Sequence, residues 1–583
     1  MLRRRLVRGG LVAALATALA VPLTAVGPAE AAGPAHDVTS PIEARRVDRV
    51  PTPKLDWYDC YGHAQCATAK LPLDYDAPAG PKVEVALLRV KARKPAQRIG
   101  SLFLNPGGPG GSGTQIAYFA PLFLDPALLD RFDIVGMDPR GTNFSDQVKC
   151  FPGNKEQGKA LAGLVSNYFP FTKAEEKAAV ASAKAMGKAC STTGRPLSAS
   201  MSTAEVARDM DVLRRAVGDK KLSYLGFSYG SYLGQVYANL FPDRVRAVTI
   251  DGVLDPVAWR GTAKTASVPQ TDRLRSADGA WKALREILVR CDKVGGQLCK
   301  FAPGDPVANY DLVARRLQAK PLLFEDWFSG ELIPFTYADL VGNTLSDLYD
   351  PRGWQSIVSN MADLIILTEP PANGAAAAQR RAAAEKSFAK RLHDRDKPAR
   401  KGWGFPYNNG FEAFASVLCT DGLNPRDAAS WPAYAAASDK RAKYFGRAWT
   451  WASVQCASAT WTARDEDAYK GPFTRRTVAP VLVVGNYWDP ATNYSGAVAA
   501  SRLLPNSRLL ASDSWGHTAL GTSSCVDSAV TRYLLTQVVP AQGTVCRGAQ
   551  PFESAGPPVA GSAAGATAPS RPRPPVVPII PAR

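Results

Sequence analysis

The chain has 583 residues, 46% of them hydrophobic and 21% charged, with a net charge of +18. Its length predicts more than one structural unit, and its apolar content excludes wholesale disorder. The basic excess would suit weak contact with polyanions. Yet no Lys/Arg stripe interleaves with aromatics and no nucleic-acid motif occurs, so it reads as a solvated surface without a nucleic-acid partner.

In chain order, Arg3, Arg4, Arg5 and Arg8 precede an apolar run from Leu11 to Val21, which Pro22 stops. Ala29-Glu30-Ala31 then offers the small residues of a cleavage site, so residues 1–31 read as a signal peptide. No later run is apolar enough to span a bilayer, and no membrane contact is expected after cleavage. Residues 32–55, rich in Pro, Ala and Arg, read as an extended linker or a removed pro-segment. Val83, Val85 and Leu87 alternate as in a strand, and Leu102–Leu104 and Ile134-Val135 are further short strand signals. Ser202 and Glu205 form a capping-box pattern. Val206, Met210, Leu213 and Val217 follow at helical spacing, and Gly218 closes that helix. Leu222–Leu225 predicts a strand, Tyr232–Leu240 a helix and Val245–Ile250 a strand. This alternation predicts an α/β fold with a mostly parallel sheet, beginning at residue 56.

From residue 257 to 470 the strand rhythm fails. The segment reads as a large, mainly helical insertion, with an exposed basic helix and linker between Ala375 and Lys401. The rhythm returns at Val481–Val484, so residues 471–548 read as the second half of the core. The Pro/Ala-rich remainder, 549–583, is expected to be disordered. Ten cysteines, an even number, suit an oxidising compartment. Sequence proximity suggests the pairs Cys60–Cys66, Cys150–Cys190, Cys291–Cys299, Cys419–Cys456 and Cys525–Cys546. No cysteine or histidine cluster has metal spacing, and no metal or cofactor is expected.

Gly226-Phe227-Ser228-Tyr229-Gly230 has the form G-x-S-x-G, after a predicted strand and at the start of a predicted helix. That context suits a nucleophilic serine on a tight turn. Of the four histidines, His36 follows the cleavage site, His63 lies in a small cysteine loop and His393 sits in a charged run. His517, in Ser514-Trp515-Gly516-His517-Thr518 after the strand-like Ser507–Ala511, remains as the base. Asp489 lies between serine and histidine at a strand end, as the orienting acid should. The loop Asn105-Pro106-Gly107-Gly108-Pro109-Gly110 lacks the Lys-Ser/Thr of a phosphate loop. It suits an oxyanion hole, with the N–H groups of Gly108 and Tyr229 as donors.

These motifs, with Asp138-Pro139-Arg140-Gly141, Asp489-Pro490-Ala491-Thr492 and Gly516-His517, resemble the secreted tripeptidyl aminopeptidases of actinomycetes. The resemblance runs over roughly residues 55–548. It implies an α/β-hydrolase fold under a helical cap, and a serine peptidase that releases short peptides from free N-termini. One departure is Asn143, where the family has glycine; asparagine tolerates the left-handed conformation, and Asp138 and Arg140 read as structural. An exopeptidase needs a partner for the substrate ammonium group, and Glu412 and Asp421 are the candidates. Two alternatives are a secreted carboxylesterase or lipase with the same triad, and a non-catalytic basic extracellular binding protein. Hydrolases with an aspartate nucleophile are excluded by Ser228.

Overall fold

The computed structural model describes residues 35–325, 330–396, 405–553 and 571–575. The predicted signal peptide lies outside them. From His36 onward the elements organise around one twisted sheet. Its strands are β1 (Tyr58–Cys60), β2 (Ala64–Pro72), β3 (Lys82–Val90), β4 (Gly100–Asn105), β5 (Phe132–Met137), β6 (Leu222–Phe227) and β7 (Val245–Asp251). A small hairpin, β8 (Leu322–Glu325) with β9 (Leu332–Phe335), stands apart, and β10 (Val481–Trp488), β11 (Ser507–Trp515) and β12 (Val545–Arg547) complete the sheet. The spatial order is β1-β2-β3-β5-β4-β6-β7-β10-β11-β12. The first three pairings are antiparallel and the rest parallel.

The central strands β4, β5 and β6 are buried at every position, as strands covered on both faces must be. One face packs against helices Thr203–Ala216, through Val206, Met210 and Leu213, and Tyr229–Leu240, through Leu233 and Val236. The other packs against Gly113–Phe123, through Ile116 and Ala120, and Ser524–Thr536, through Val526 and Val530. Parallel strands present their carboxyl ends along one edge, and that edge is where a site is built.

Every core strand and helix expected above is present. The strand halves flank an insertion between β7 and β10 made of helices and the β8–β9 hairpin. The basic stretch forms a helix, Ala375–Asp396, that buries Ala384 and Phe388. All five suggested disulfides are formed.

Three expectations need correction. Residues 41–48 are not extended: Ser40 caps a helix that begins at Pro41, and Val47 is fully buried. Glu43 pairs with Arg208 at 2.8 Å, and Arg46 pairs with Asp76 at 2.6 Å. The Ser202–Glu205 box is half made. Ser202 accepts the Glu205 N–H, but the Glu205 carboxylate turns to Arg140 and Arg208 at 2.8 and 2.6 Å. Those buried guanidinium groups are the stronger partners for a carboxylate out of water. Finally, the segment expected to be disordered includes Arg571–Pro575, which lie against the folded body, with Arg571 on Asp125 at 2.9 Å.

Candidate active site

Ser228 occupies the turn between β6 and the helix Tyr229–Leu240, at φ 57° and ψ −122°. A non-glycine residue at such angles is strained, and the surroundings must hold it there. Its N–H donates to the Asp251 carbonyl at the end of β7, at 2.9 Å. The flanking glycines are required by close approach. A methyl on Gly226 would fall 2.4 Å from the Gly230 carbonyl, and one on Gly230 would fall 2.8 Å from Asn105 Oδ1.

His517 follows β11, and Asp489 follows β10. His517 Nδ1 lies 2.9 and 3.0 Å from the two Asp489 oxygens. That carboxylate also accepts the N–H groups of Ala491, Thr492 and Thr518 at 2.8, 2.8 and 3.0 Å, and the Thr492 hydroxyl at 2.8 Å. Burial acts to raise its pKa, but His517 and these donors outweigh burial and hold it below the usual carboxylate range. The Asp489 contact leaves Nε2 as the nitrogen free to take a proton.

The structure brings the serine and the histidine to one place. Both border the end of β7: Ser228 bonds to Asp251, and a methyl on Gly252 would sit 3.2 Å from His517 Cε1. Ser228 Oγ and His517 Nε2 are both buried and have no hydrogen-bond partner, so the two are not bonded to each other in this structure. Bonds of this kind often tighten only once a substrate is in place.

The Gly-rich loop after β4 lies directly over the serine turn. A methyl on Gly107 would meet the Phe227 carbonyl at 2.6 Å, Ser228 Cβ at 2.8 Å and the Tyr229 nitrogen at 3.1 Å. The Gly107 N–H is taken by Asn105 Oδ1 at 2.9 Å, so Gly108 is the next donor along the loop. Asp138, fully buried, accepts from Ser112 Oγ at 2.7 Å, Thr114 N at 3.0 Å and Phe144 N at 3.1 Å. It ties the Gly-rich loop to the next turn. Arg140 holds Asp209 through two bonds of 2.8 and 2.7 Å. Both residues are structural, and Asn143 adopts the left-handed conformation expected of it, at φ 45°.

The two amine candidates differ. Asp421 accepts Thr203 N at 2.8 Å, Thr203 Oγ1 at 2.6 Å and Trp259 Nε1 at 3.0 Å. Thr203 Oγ1 in turn lies 2.6 Å from the Tyr229 hydroxyl. Asp421 is therefore a brace for the Tyr229 ring, and both of its oxygens already accept hydrogen bonds. Glu412 is fully buried on the same helix, Gly410–Asp421, whose Ala413 and Phe414 approach Gly110. Its Oε1 accepts Tyr407 Oη at 2.6 Å and Cys150 N at 3.2 Å, while Oε2 has no partner. Burial pushes this carboxyl up to about 7, despite those two donors.

Three residues at the site had no local signal in the sequence. Tyr349, from the insertion, sets its ring 5.0 Å from the His517 ring, and its carbonyl accepts the His517 N–H at 3.0 Å. Asp251 accepts the N–H groups of Ala519 and Leu520 at 2.9 and 2.8 Å; burial pushes it up to about 6. Arg573 lies behind the histidine loop. His36 and His63 sit elsewhere, on the carbonyls of Asp37 and Tyr118. Among the described residues, Asp74, Asp76 and Asp467 group their carboxylates as a cation site would, but Arg46 already supplies the positive charge there.

A strained serine at a strand–helix turn, a histidine–aspartate pair from later strands and a glycine loop over the serine define an α/β-hydrolase-fold serine hydrolase. Residues 100–275 match the family model for the alpha/beta hydrolase fold. Within that class the chain is a homologue of the tripeptidyl aminopeptidases of Streptomyces, and residues 442–546 match the model described as TAP-like protein. The tripeptidyl aminopeptidase of Streptomyces lividans is 28% identical over 570 residues, covering 94% of this chain and 98% of that protein. Serine protease Hip1 of Mycobacterium tuberculosis is 28% identical over 534 residues, 85% of this chain and 92% of its own. Carboxylesterase B of the same organism is 29% identical over 503 residues, 83% and 86% respectively. Among solved structures, a proline iminopeptidase from Mycobacterium smegmatis matches at 13% identity and a TM-score of 0.30, over 81% of this chain and 98% of its own.

Proposed function

We propose that the protein is a secreted serine exopeptidase that releases short peptides, tripeptides by preference, from free N-termini. The observation that carries the reading is the His517–Asp489 pair beside a strained Ser228, with Ser228 Oγ and His517 Nε2 both buried and unpartnered. The relatives named as tripeptidyl aminopeptidase and serine protease support the peptidase choice. Five disulfides suit an oxidising compartment outside the cytoplasm. Among the described residues no helix is long and apolar enough to cross a membrane.

In this reading His517 Nε2 takes the Ser228 proton as Oγ attacks the peptide carbonyl. Asp489 fixes the ring and offsets the imidazolium charge. The N–H groups of Gly108 and Tyr229 receive the developing oxyanion. His517 then protonates the leaving amine; water, activated by the same nitrogen, attacks the Ser228 ester, the C–Oγ bond breaks, Oγ regains its proton and the short peptide leaves with a free carboxylate. Tyr349 and the helix Gly410–Asp421 close over the site, which favours short, threaded substrates. Glu412 is the partner assigned to the substrate ammonium group.

The test compares a tripeptide anilide bearing a free N-terminus with its N-acetyl counterpart, alongside Ser228→Ala. Cleavage of the free compound alone, abolished by the substitution, supports the reading. Equal cleavage of both refutes the exopeptidase assignment. Hydrolysis of simple esters with neither anilide cleaved establishes instead the carboxylesterase reading that the third relative favours.

A further inference from the structure

The residue after His517 is strained. Thr518 sits at φ 69°, a left-handed conformation that a β-branched residue rarely holds. Such a residue persists only where its surroundings over-determine it. Two partners come from β10 and the residues just after it: Asp489 accepts the Thr518 N–H at 3.0 Å, and Asn486 Nδ2 donates to its carbonyl at 3.3 Å. The third comes from the far end of the described chain. Arg573 Nη2 donates to the Thr518 carbonyl at 2.9 Å, lies 3.1 Å from its hydroxyl and also meets the His517 carbonyl. Its Nη1 donates to the Tyr349 carbonyl at 2.8 Å, the same oxygen that accepts the His517 N–H.

One planar group therefore holds three carbonyls, that of Tyr349 from the insertion and those of His517 and Thr518 in the histidine loop. A guanidinium can do this because its donors are fixed in a fork; an ammonium offers a point charge on a flexible stem. The tail is seated closely. A methyl on Gly521 would lie 3.2 Å from Arg573 Cγ, and Arg571 is anchored on Asp125. A cavity of about 530 Å³ runs beside it, bordered by Tyr349, Trp515, Arg573 and Pro574.

We propose that Arg573 is a positioning residue for His517: by clamping Thr518 and the Tyr349 turn, it holds the imidazole at the orientation needed to take the Ser228 proton. The inference rests on the reading of His517 as the general base. It does not depend on the peptide substrate. Displacing a catalytic group by about 1 Å costs on the order of 100-fold in rate, and that sets the expected size of the effect.

The full-length chain carrying Arg573→Ala or Arg573→Lys is assayed in two ways. One is kcat and KM on the tripeptide anilide. The other is the rate at which a small fluorophosphonate labels Ser228, which needs His517 but no amine recognition. Expected is a parallel fall of about 100-fold in kcat and labelling rate for Arg573→Ala, with KM within about twofold. Arg573→Lys should fall between the variant and the parent. Wild-type labelling by Arg573→Ala, whatever its melting temperature, overturns the proposal, and so does a change confined to KM. Should Arg573→Ala fail to fold, wild-type kcat and labelling in Arg573→Lys overturn it equally. If the parent cleaves no peptide at all, the labelling rates still decide the role of Arg573.

Discussion

Replacing Glu412 by Gln tests the amine-binding assignment and the electrostatics beneath it in a single variant. The folded chain raises this carboxyl from 4.5 to about 7, because it is buried. Its folded form therefore keeps a proton that the unfolded chain gives up. The cost of ionising it in place is absent below pH 4.5, grows as the pH rises, and is complete above about 7. At about 1.4 kcal/mol per pH unit, that interval corresponds to about 3 kcal/mol. Glutamine keeps an acceptor for Tyr407 Oη and Cys150 N, the two donors on Oε1. It carries no such cost. Denaturant unfolding should then find parent and variant alike near pH 4.5, and the variant more stable by up to about 3 kcal/mol at pH 8.

Activity should move in the opposite direction. An ammonium group binds the ionised carboxylate, so the parent's preference for free over acetylated N-termini should strengthen as pH rises through about 7. It should weaken again once the substrate amine, with a pKa of about 8, loses its proton. The variant should lose about 100-fold or more of that preference, the scale of breaking a buried charge pair, and show no such pH dependence. Parallel kcat/KM profiles for the two substrates and the two proteins provide the check. A variant that keeps the parent's preference at every pH refutes the assignment, and equal stabilities at pH 8 refute the burial argument.

Two further outcomes follow from the same geometry. Asp489→Asn places an amide NH2 among N–H and O–H donors on either oxygen, and should lower kcat about 10⁴-fold with little change in KM; a loss under tenfold would remove Asp489 from the triad. Gly107→Ala forces a methyl against the Phe227 carbonyl and Ser228 Cβ, neither of which can move freely, and should cut ester turnover by about 10²–10³-fold; unchanged turnover would separate this loop from the oxyanion.

What the sequence disclosed depended on whether the signal was local. The serine turn, β4, β6 and β7 announce themselves through short, mostly apolar runs closely followed by glycine, because a parallel strand covered on both faces is predominantly apolar. His517 was legible only because so few histidines compete with it, and Asp489 only through its order in the chain. The helix at Pro41–Asp48 did carry its signals, a Ser40 cap and a proline at the first turn, but they were masked by a composition that reads as linker. Glu412 and Asp421 could not be ranked from sequence, since what separates them is the neighbour each finds across the fold: Tyr407 and Cys150 for one, Thr203 and Trp259 for the other. Tyr349 and Arg573 were silent for the same reason. A backbone carbonyl and one arginine of a proline-rich stretch become meaningful only once the chain has brought them to His517.

The separation of β7 from β10 by the whole insertion has a consequence in time. Ser228 and its oxyanion loop are laid down first, and residues 252–480 must be made before Val481 can pair with Val248. Asp489 and His517 follow only after that. Closing so long a span is slow, because the entropy of the intervening chain is surrendered before the pairing contacts return it. On the proposed reading, a nascent chain therefore carries a nucleophile with no base for about half of its synthesis. If the protein is the exported peptidase proposed above, that order is a built-in latency: the polypeptide is harmless until its second half arrives.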